Sequence, residues 1–138
     1  MSSQKSLKIL MVCLGNICRS PTAHGVLSAL IKRRKLCDYL EVDSAGTGCW
    51  HLGEKPDRRS ISAAQLRGYD LCALIARQVK NTDFAQFDYI LAMDSDNLRD
   101  LYKICPNEYK NKLDLLLKFG SSPEIVVPDP FYLSLIHI

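Results

Sequence analysis

The sequence predicts an α/β fold: a small doubly wound open sheet of four parallel strands flanked by helices, with a ligand loop at the C-terminal end of the first strand. Three observations carry that expectation. Short apolar segments alternate with longer segments of helical spacing along the 138-residue chain, as strands joined by right-handed crossover helices would. Leu7, Ile9, Leu10, Met11 and Val12 form a nearly continuous apolar run, as a strand buried on both faces requires. That run leads into Cys13-Leu14-Gly15-Asn16-Ile17-Cys18-Arg19-Ser20-Pro21, at the place where open parallel sheets bind their ligands.

The elements follow in order. The first strand spans Leu7 to Cys13. Pro21 suits the first turn of a helix, where its missing N–H costs nothing, and Val26, Leu27, Leu30 and Ile31 recur at helical spacing through Pro21 to Lys35. The basic run Lys32-Arg33-Arg34-Lys35 reads as the solvated end of that helix, complementing its dipole. A second strand runs from Leu40 to Ser44, and a helix from Arg58 to Arg67 stops at Gly68. A third strand covers Tyr89 to Met93, a helix Ser95 to Cys105 ends before Pro106, and a fourth strand covers Leu113 to Leu117. With 47% hydrophobic residues the chain has ample material for one core, and it contains no repeat or low-complexity segment.

The segment from Cys13 to Pro21 is a strand-to-helix turn built to hold an anion. Gly15 and Asn16 are residue types that tolerate left-handed backbone geometry, so the turn can curl until successive N–H groups face one point. The helix N-terminus adds partial positive charge, and Arg19 adds a planar fork of donors that can grip two phosphate oxygens. A thiol at Cys13 in these surroundings is expected to be a thiolate, poised for in-line attack on phosphorus. Ser20 can donate its hydroxyl to that sulfur as it leaves. The contending reading is a buried cysteine followed by an ordinary turn, which the strand before, the Gly-Asn pair within and the proline-started helix after all disfavour.

With these residues the chain resembles the low-molecular-weight protein tyrosine phosphatases, from about Lys8 to Tyr132. Three further segments join the loop in that likeness: Val42-Asp43-Ser44-Ala45-Gly46-Thr47, Phe87-Asp88-Tyr89-Ile90-Leu91-Ala92-Met93-Asp94 and Asp129-Pro130-Phe131-Tyr132. The resemblance implies Cys13 as nucleophile, Arg19 as phosphate clamp and Asp129 as general acid. It implies a phosphate site formed by Leu14, Gly15, Asn16, Ile17, Cys18, Arg19 and Ser20, supported by Asn16, Ser20 and Ser44. An acid at Asp129 has a clear physical purpose, because a phenolate leaves more easily when protonated and the resulting carboxylate can then activate water. Leu14, Ile17, Trp50, Phe131 and Tyr132 are the expected pocket walls, with Trp50 in a glycine-flanked loop. Phe131 replaces one of two tyrosines usual in the family. The segment Leu71 to Gln78 lacks a histidine that many relatives tie to the loop serine network.

The implied chemistry needs no cofactor and no metal. Its expected partners are phosphotyrosine proteins or aryl phosphates, with inorganic phosphate as product and inhibitor. A net charge of +3 favours an anionic substrate but falls short of a nucleic-acid signature. There is no signal-peptide pattern and no stretch long enough to span a membrane, so a cytoplasmic location is expected, with the six cysteines mostly reduced. Cys13 and Cys18 could form a reversible disulfide protecting the nucleophile. Cys37, Cys49, Cys72 and Cys105 read as ordinary thiols, and His24, His51 and His137 form no cluster in the sequence. Residues 1–132 read as a single phosphatase-like domain and Leu133-Ser134-Leu135-Ile136-His137-Ile138 as a divergent tail, where the family continues into a helix. Loss of that helix would bare apolar surface, and marginal stability or self-association is the expected result. Two other functions use the same loop. An arsenate reductase needs relay cysteines, and Cys72 and Cys105 show no close pairing in the sequence. A silent phosphotyrosine-binding protein would lack the nucleophile or the acid, and both are present.

Overall fold

The computed structural model describes residues 6–120. Its elements are β1 (Leu7–Cys13), α1 (Arg19–Arg33), β2 (Leu40–Gly46), α2 (Arg58–Leu66), α3 (Asn81–Gln86), β3 (Tyr89–Ala92), α4 (Ser95–Ile104) and β4 (Leu113–Leu115), with single 3-10 segments at Asn107–Lys112 and Leu116–Phe119. All strand pairs are parallel and the order is β2-β1-β3-β4, so the first strand is central.

Alternation along β1 divides the core in two. Leu10 and Val12, both 0% exposed, join Ala45, Ile90, Ala92, Leu113 and Leu115 under Phe84 of α3 and Leu101 of α4. Met11 and Cys13 face the other way, with Leu91 and Met93, against Ala23 and Leu27 of α1. Helices therefore cover both faces, which is the doubly wound arrangement expected from the continuous apolar run. Each fully buried Leu or Ile contributes roughly 1.5–3 kcal/mol by leaving water.

Element boundaries differ from the sequence reading for local reasons. The first helix starts at Arg19, two residues before Pro21, because the Cys18 carbonyl accepts from both the Thr22 amide (3.2 Å) and the Thr22 hydroxyl (2.6 Å). Pro21 is then the third helical residue, still among those whose N–H has no intrahelical partner. Strand β2 runs on to Gly46, whose amide donates to Arg77 O (2.8 Å) in a parallel bridge beyond Ser44. The helix α2 is capped by Asp57, whose carboxylate accepts from Arg59 N (2.8 Å), and the chain turns at Gly68 with φ +87°. The short helix α3 was not expected, since six residues are too few to show a period; Asp83 reaches back to accept from Lys80 N (2.7 Å) and starts it.

Candidate active site

The loop between β1 and α1 is held open from behind. The carbonyls of Cys13 and Leu14 accept from the amides of Thr47 and Gly48, each at 2.9 Å, and Ile17 O accepts from Asp57 N at 2.7 Å. With Cys18 O bonded to Thr22, four loop carbonyls point into the surrounding protein. The peptides among the described residues are trans. In a planar trans peptide the next N–H is antiparallel to the carbonyl. The amides of Leu14, Gly15, Cys18 and Arg19 therefore point to the loop's concave side, the arrangement that binds a tetrahedral anion.

Asn16 fixes the curl. It adopts φ 57°, a left-handed conformation that asparagine tolerates better than most residues. Its side chain is used at both ends: Nδ2 donates to Ser20 Oγ (2.7 Å) and Oδ1 accepts from Arg77 N (3.0 Å). Ser20 Oγ lies 3.1 Å from Cys13 Sγ, and Asn16 N donates to the same sulfur at 3.3 Å. The nucleophile candidate thus has one backbone donor and one hydroxyl already within hydrogen-bond distance. A Cβ on Gly46 would fall 2.6 Å from Leu14 O, so the β2 end and the loop touch backbone to backbone.

Arg19 is buried at the start of α1, and its Nη1 donates to Asp94 Oδ2 at 2.6 Å. Asp94 also caps α4, its Oδ1 accepting from Asn97 N (2.8 Å). One carboxylate therefore starts a helix and aims a guanidinium, a role the sequence reading did not assign to Asp94. The signal was present as an Asp before Ser95, but a cap and a salt-bridge partner look alike in sequence.

Two histidines also prove better placed than their spacing suggested. His24 Nδ1 lies 2.9 Å from Ser44 Oγ, joining α1 to β2. Burial holds the His24 ring below its ordinary 6.5, the Asp43 carboxylate raising it and the Arg77 guanidinium lowering it further. His51, bonded to Glu54 Oε2 at 2.9 Å, lies against Gly15, where a Cβ would meet its Cδ2 at 3.0 Å. Only the third dimension brings residues 15 and 51 together.

Among the expected pocket residues, Leu14 is half-buried in the loop and Ile17 is buried with Cys18 and Ala76. Trp50 is 69% exposed, its ring lying over Gly48, the residue bonded to Leu14 O. Cys13 and Cys18 are both buried. Burial pushes the Cys105 thiol up, and the Asp70 carboxylate does the same at Cys72. Asp129, Phe131 and Tyr132, and the tail from Leu133 to Ile138, lie outside the described residues.

Behind the loop sits a cluster of charge. Arg77 Nε and Nη2 donate to Asp43 Oδ2 (3.2 and 3.1 Å), and Nη1 and Nη2 donate to the two oxygens of Asp83 (2.9 and 3.2 Å). Its backbone simultaneously receives Gly46 N and holds Asn16. The residue joins β2, α3 and the loop.

Comparison with known proteins gives a consistent picture. The family model described as low molecular weight phosphotyrosine protein phosphatase matches residues 8–136. The chain is 43% identical over 126 residues to low molecular weight phosphotyrosine protein phosphatase 1 of Drosophila melanogaster, covering 91% of this chain and 80% of that one. It is 39% identical over 138 residues to the Homo sapiens low molecular weight phosphotyrosine protein phosphatase, covering 96% and 84%. Among solved structures, a protein tyrosine phosphatase from Entamoeba histolytica with Hepes in its active site superposes with a TM-score of 0.88 at 43% identity, covering 92% and 81%.

Proposed function

This chain belongs to the low molecular weight phosphotyrosine protein phosphatase family, and from that premise we propose that it hydrolyses phosphotyrosine and aryl phosphate monoesters through a cysteinyl-phosphate on Cys13. It is a cysteine-dependent tyrosine phosphatase. The observation that carries the mechanism is the position of Cys13 Sγ, between Ser20 Oγ and Asn16 N, in a loop whose carbonyls are bonded away from it.

The substrate's phosphoryl oxygens occupy the concave side, met by inward amides and the Arg19 guanidinium that Asp94 orients. These groups stabilise the charge on the phosphoryl oxygens, so the reaction needs no metal to do so. Cys13 Sγ attacks phosphorus in line; the S–P bond forms as the P–O(aryl) bond breaks, and Asp129 gives its proton to the departing phenolate. Water then attacks phosphorus and the Asp129 carboxylate accepts its proton. The S–P bond breaks, its electron pair returning to the sulfur, which Ser20 meets with its hydroxyl. Inorganic phosphate is released and, bearing the same oxygens, acts as a competitive inhibitor.

Leu14, Ile17 and Trp50, with Phe131 and Tyr132, form the walls for the aryl ring, and Cys18 serves as the resolving thiol for an oxidised Cys13. The location is cytoplasmic; no helix among the described residues is long and apolar enough to cross a membrane. The test is hydrolysis of an aryl phosphate in EDTA and reductant, with Cys13→Ser and Asp129→Asn alongside. Turnover vanishes in Cys13→Ser and falls about 10²- to 10⁴-fold in Asp129→Asn, the usual worth of a positioned acid. Undiminished turnover in Cys13→Ser, or none in the folded wild type, overturns the reading.

A further inference from the structure

Ser20 and His24 are four residues apart on α1 and so share one face of that helix. The face looks at β2. Ser20 Oγ lies 3.5 Å from Ala45 O, and His24 Nδ1 lies 2.9 Å from Ser44 Oγ, the preceding residue of the same strand. Ser44 itself is buried, at 4% exposure, and stands beside Met11 in the register that places Gly46 beside Cys13. Two consecutive residues of β2 therefore meet two consecutive turns of α1, and the first of those turns carries the hydroxyl at the sulfur.

We propose that His24 is a positioning residue for the cysteine chemistry. Its bond to Ser44 fixes the rotation of α1 against β2 and thereby holds Ser20, one turn earlier, on Cys13 Sγ. The Ser20 contact to β2 is long, and Ser20 is otherwise shared between Asn16 and Cys13. A turn of the helix about its axis by a few degrees would carry Ser20 off the sulfur, since the hydroxyl's own contact with the strand is the long one to Ala45 O. The His24 bond, being short and closed by two side chains, supplies the missing constraint. On the other face of the strand, Asp43 Oδ1 accepts from Ser44 N at 2.7 Å while Asp43 Oδ2 receives Arg77, so the strand is pinned from both sides at this point.

The proposal rests on the phosphatase reading, and its test separates the two. His24→Ala, His24→Asn, Ser44→Ala and the His24→Ala/Ser44→Ala double variant are assayed for kcat and KM on an aryl phosphate. The rate of Cys13 alkylation by iodoacetamide at one mildly acid pH is followed by peptide mass, a readout that needs no turnover. His24→Ala is expected to lower both kcat and Cys13 alkylation about threefold to tenfold, the equivalent of one modest hydrogen bond, with KM unchanged. His24→Asn places an amide where Nδ1 stood and restores most of both. The double variant is no worse than either single one, because both remove the same bond.

Wild-type kcat and alkylation rate in folded His24→Ala would overturn the proposal, as would additive losses in the double variant. Should His24→Ala fail to unfold cooperatively, His24→Asn and Ser44→Ala decide: equal losses in both, without rescue by asparagine, count against it. Inactive wild type with alkylation still sensitive to His24 would sink the phosphatase reading alone.

Discussion

Single side chains in this molecule satisfy geometry and chemistry together, and Asn16 does so most completely. A non-glycine residue at φ 57° costs about 1–2 kcal/mol in general, less for asparagine, and its two buried hydrogen bonds offset that cost. His24 presents the opposite case, a titratable ring kept neutral by burial. Its folded-state value lies below 6.5, with Asp43 opposing and Arg77 assisting the effect of burial. Between the folded value and 6.5 the unfolded chain binds the proton and the folded chain does not, so stability falls as pH drops through that window. Below the folded value both states are protonated and the loss stops growing. Urea unfolding of wild type and His24→Asn at about pH 7.5 down to about pH 5 isolates this group, because the carboxylates are common to both. Wild type should lose stability relative to His24→Asn below about pH 6.5; parallel curves would show that burial does not hold the ring neutral.

At the scale of elements, Arg77 links three pieces that the sequence separates widely. Its guanidinium lies between Asp43 on β2 and Asp83 at the start of α3, and Asp83 is 2% exposed. Arg77→Met leaves a buried carboxylate without its cation, a loss of about 3–5 kcal/mol, whereas Arg77→Met with Asp83→Leu recovers part of it by replacing the pair with apolar groups, short of the cap that Asp83 gives Lys80 N. Thermal or urea unfolding of the two variants decides this; a double variant no better than Arg77→Met would mean the network is needed for more than charge balance. The same residue shows what was legible beforehand. The strand run Leu7 to Cys13, the Gly-Asn turn and the proline-started helix carry local signatures, and the fold class follows from them. The helix α3 is too short to show a period, and the Arg77 clamp, Asp94 on Arg19 and His24 on Ser44 have no such signature, since each of these depends on partners 6 to 75 residues away. Long-range side-chain pairing leaves no period in the chain, so the loop was readable and the Arg77, Asp94 and His24 contacts that brace it were not.

For the whole molecule the two sheet faces are unequally covered by the described residues. The face under α3 and α4 is closed, whereas Ile9, Met11 and Leu91 line an apolar groove of about 560 Å³ between α1 and the Leu116–Phe119 segment. Phe119 and Tyr89 meet edge to face at its rim, 59% and 41% exposed, with ring centroids 6.1 Å apart. An apolar groove on a sheet that would otherwise be buried gains about 25 cal/mol per Å² from any cover, and a second copy of the chain offers the same surface in return. We therefore propose self-association through this face, whose lining includes Met11, two residues before Cys13, but no residue of the Cys13 loop itself. Sedimentation velocity over a hundredfold range of concentration is expected to show a rising weight-average mass, and Phe119→Glu, which puts a charge on the rim, to shift the species toward monomer. Because the groove and the phosphate loop are built from different residues, Phe119→Glu should retain wild-type kcat per chain. A wild type that stays monomeric at all concentrations, with one sharp unfolding transition at high temperature, would refute the association and place the cover for this face within the chain itself.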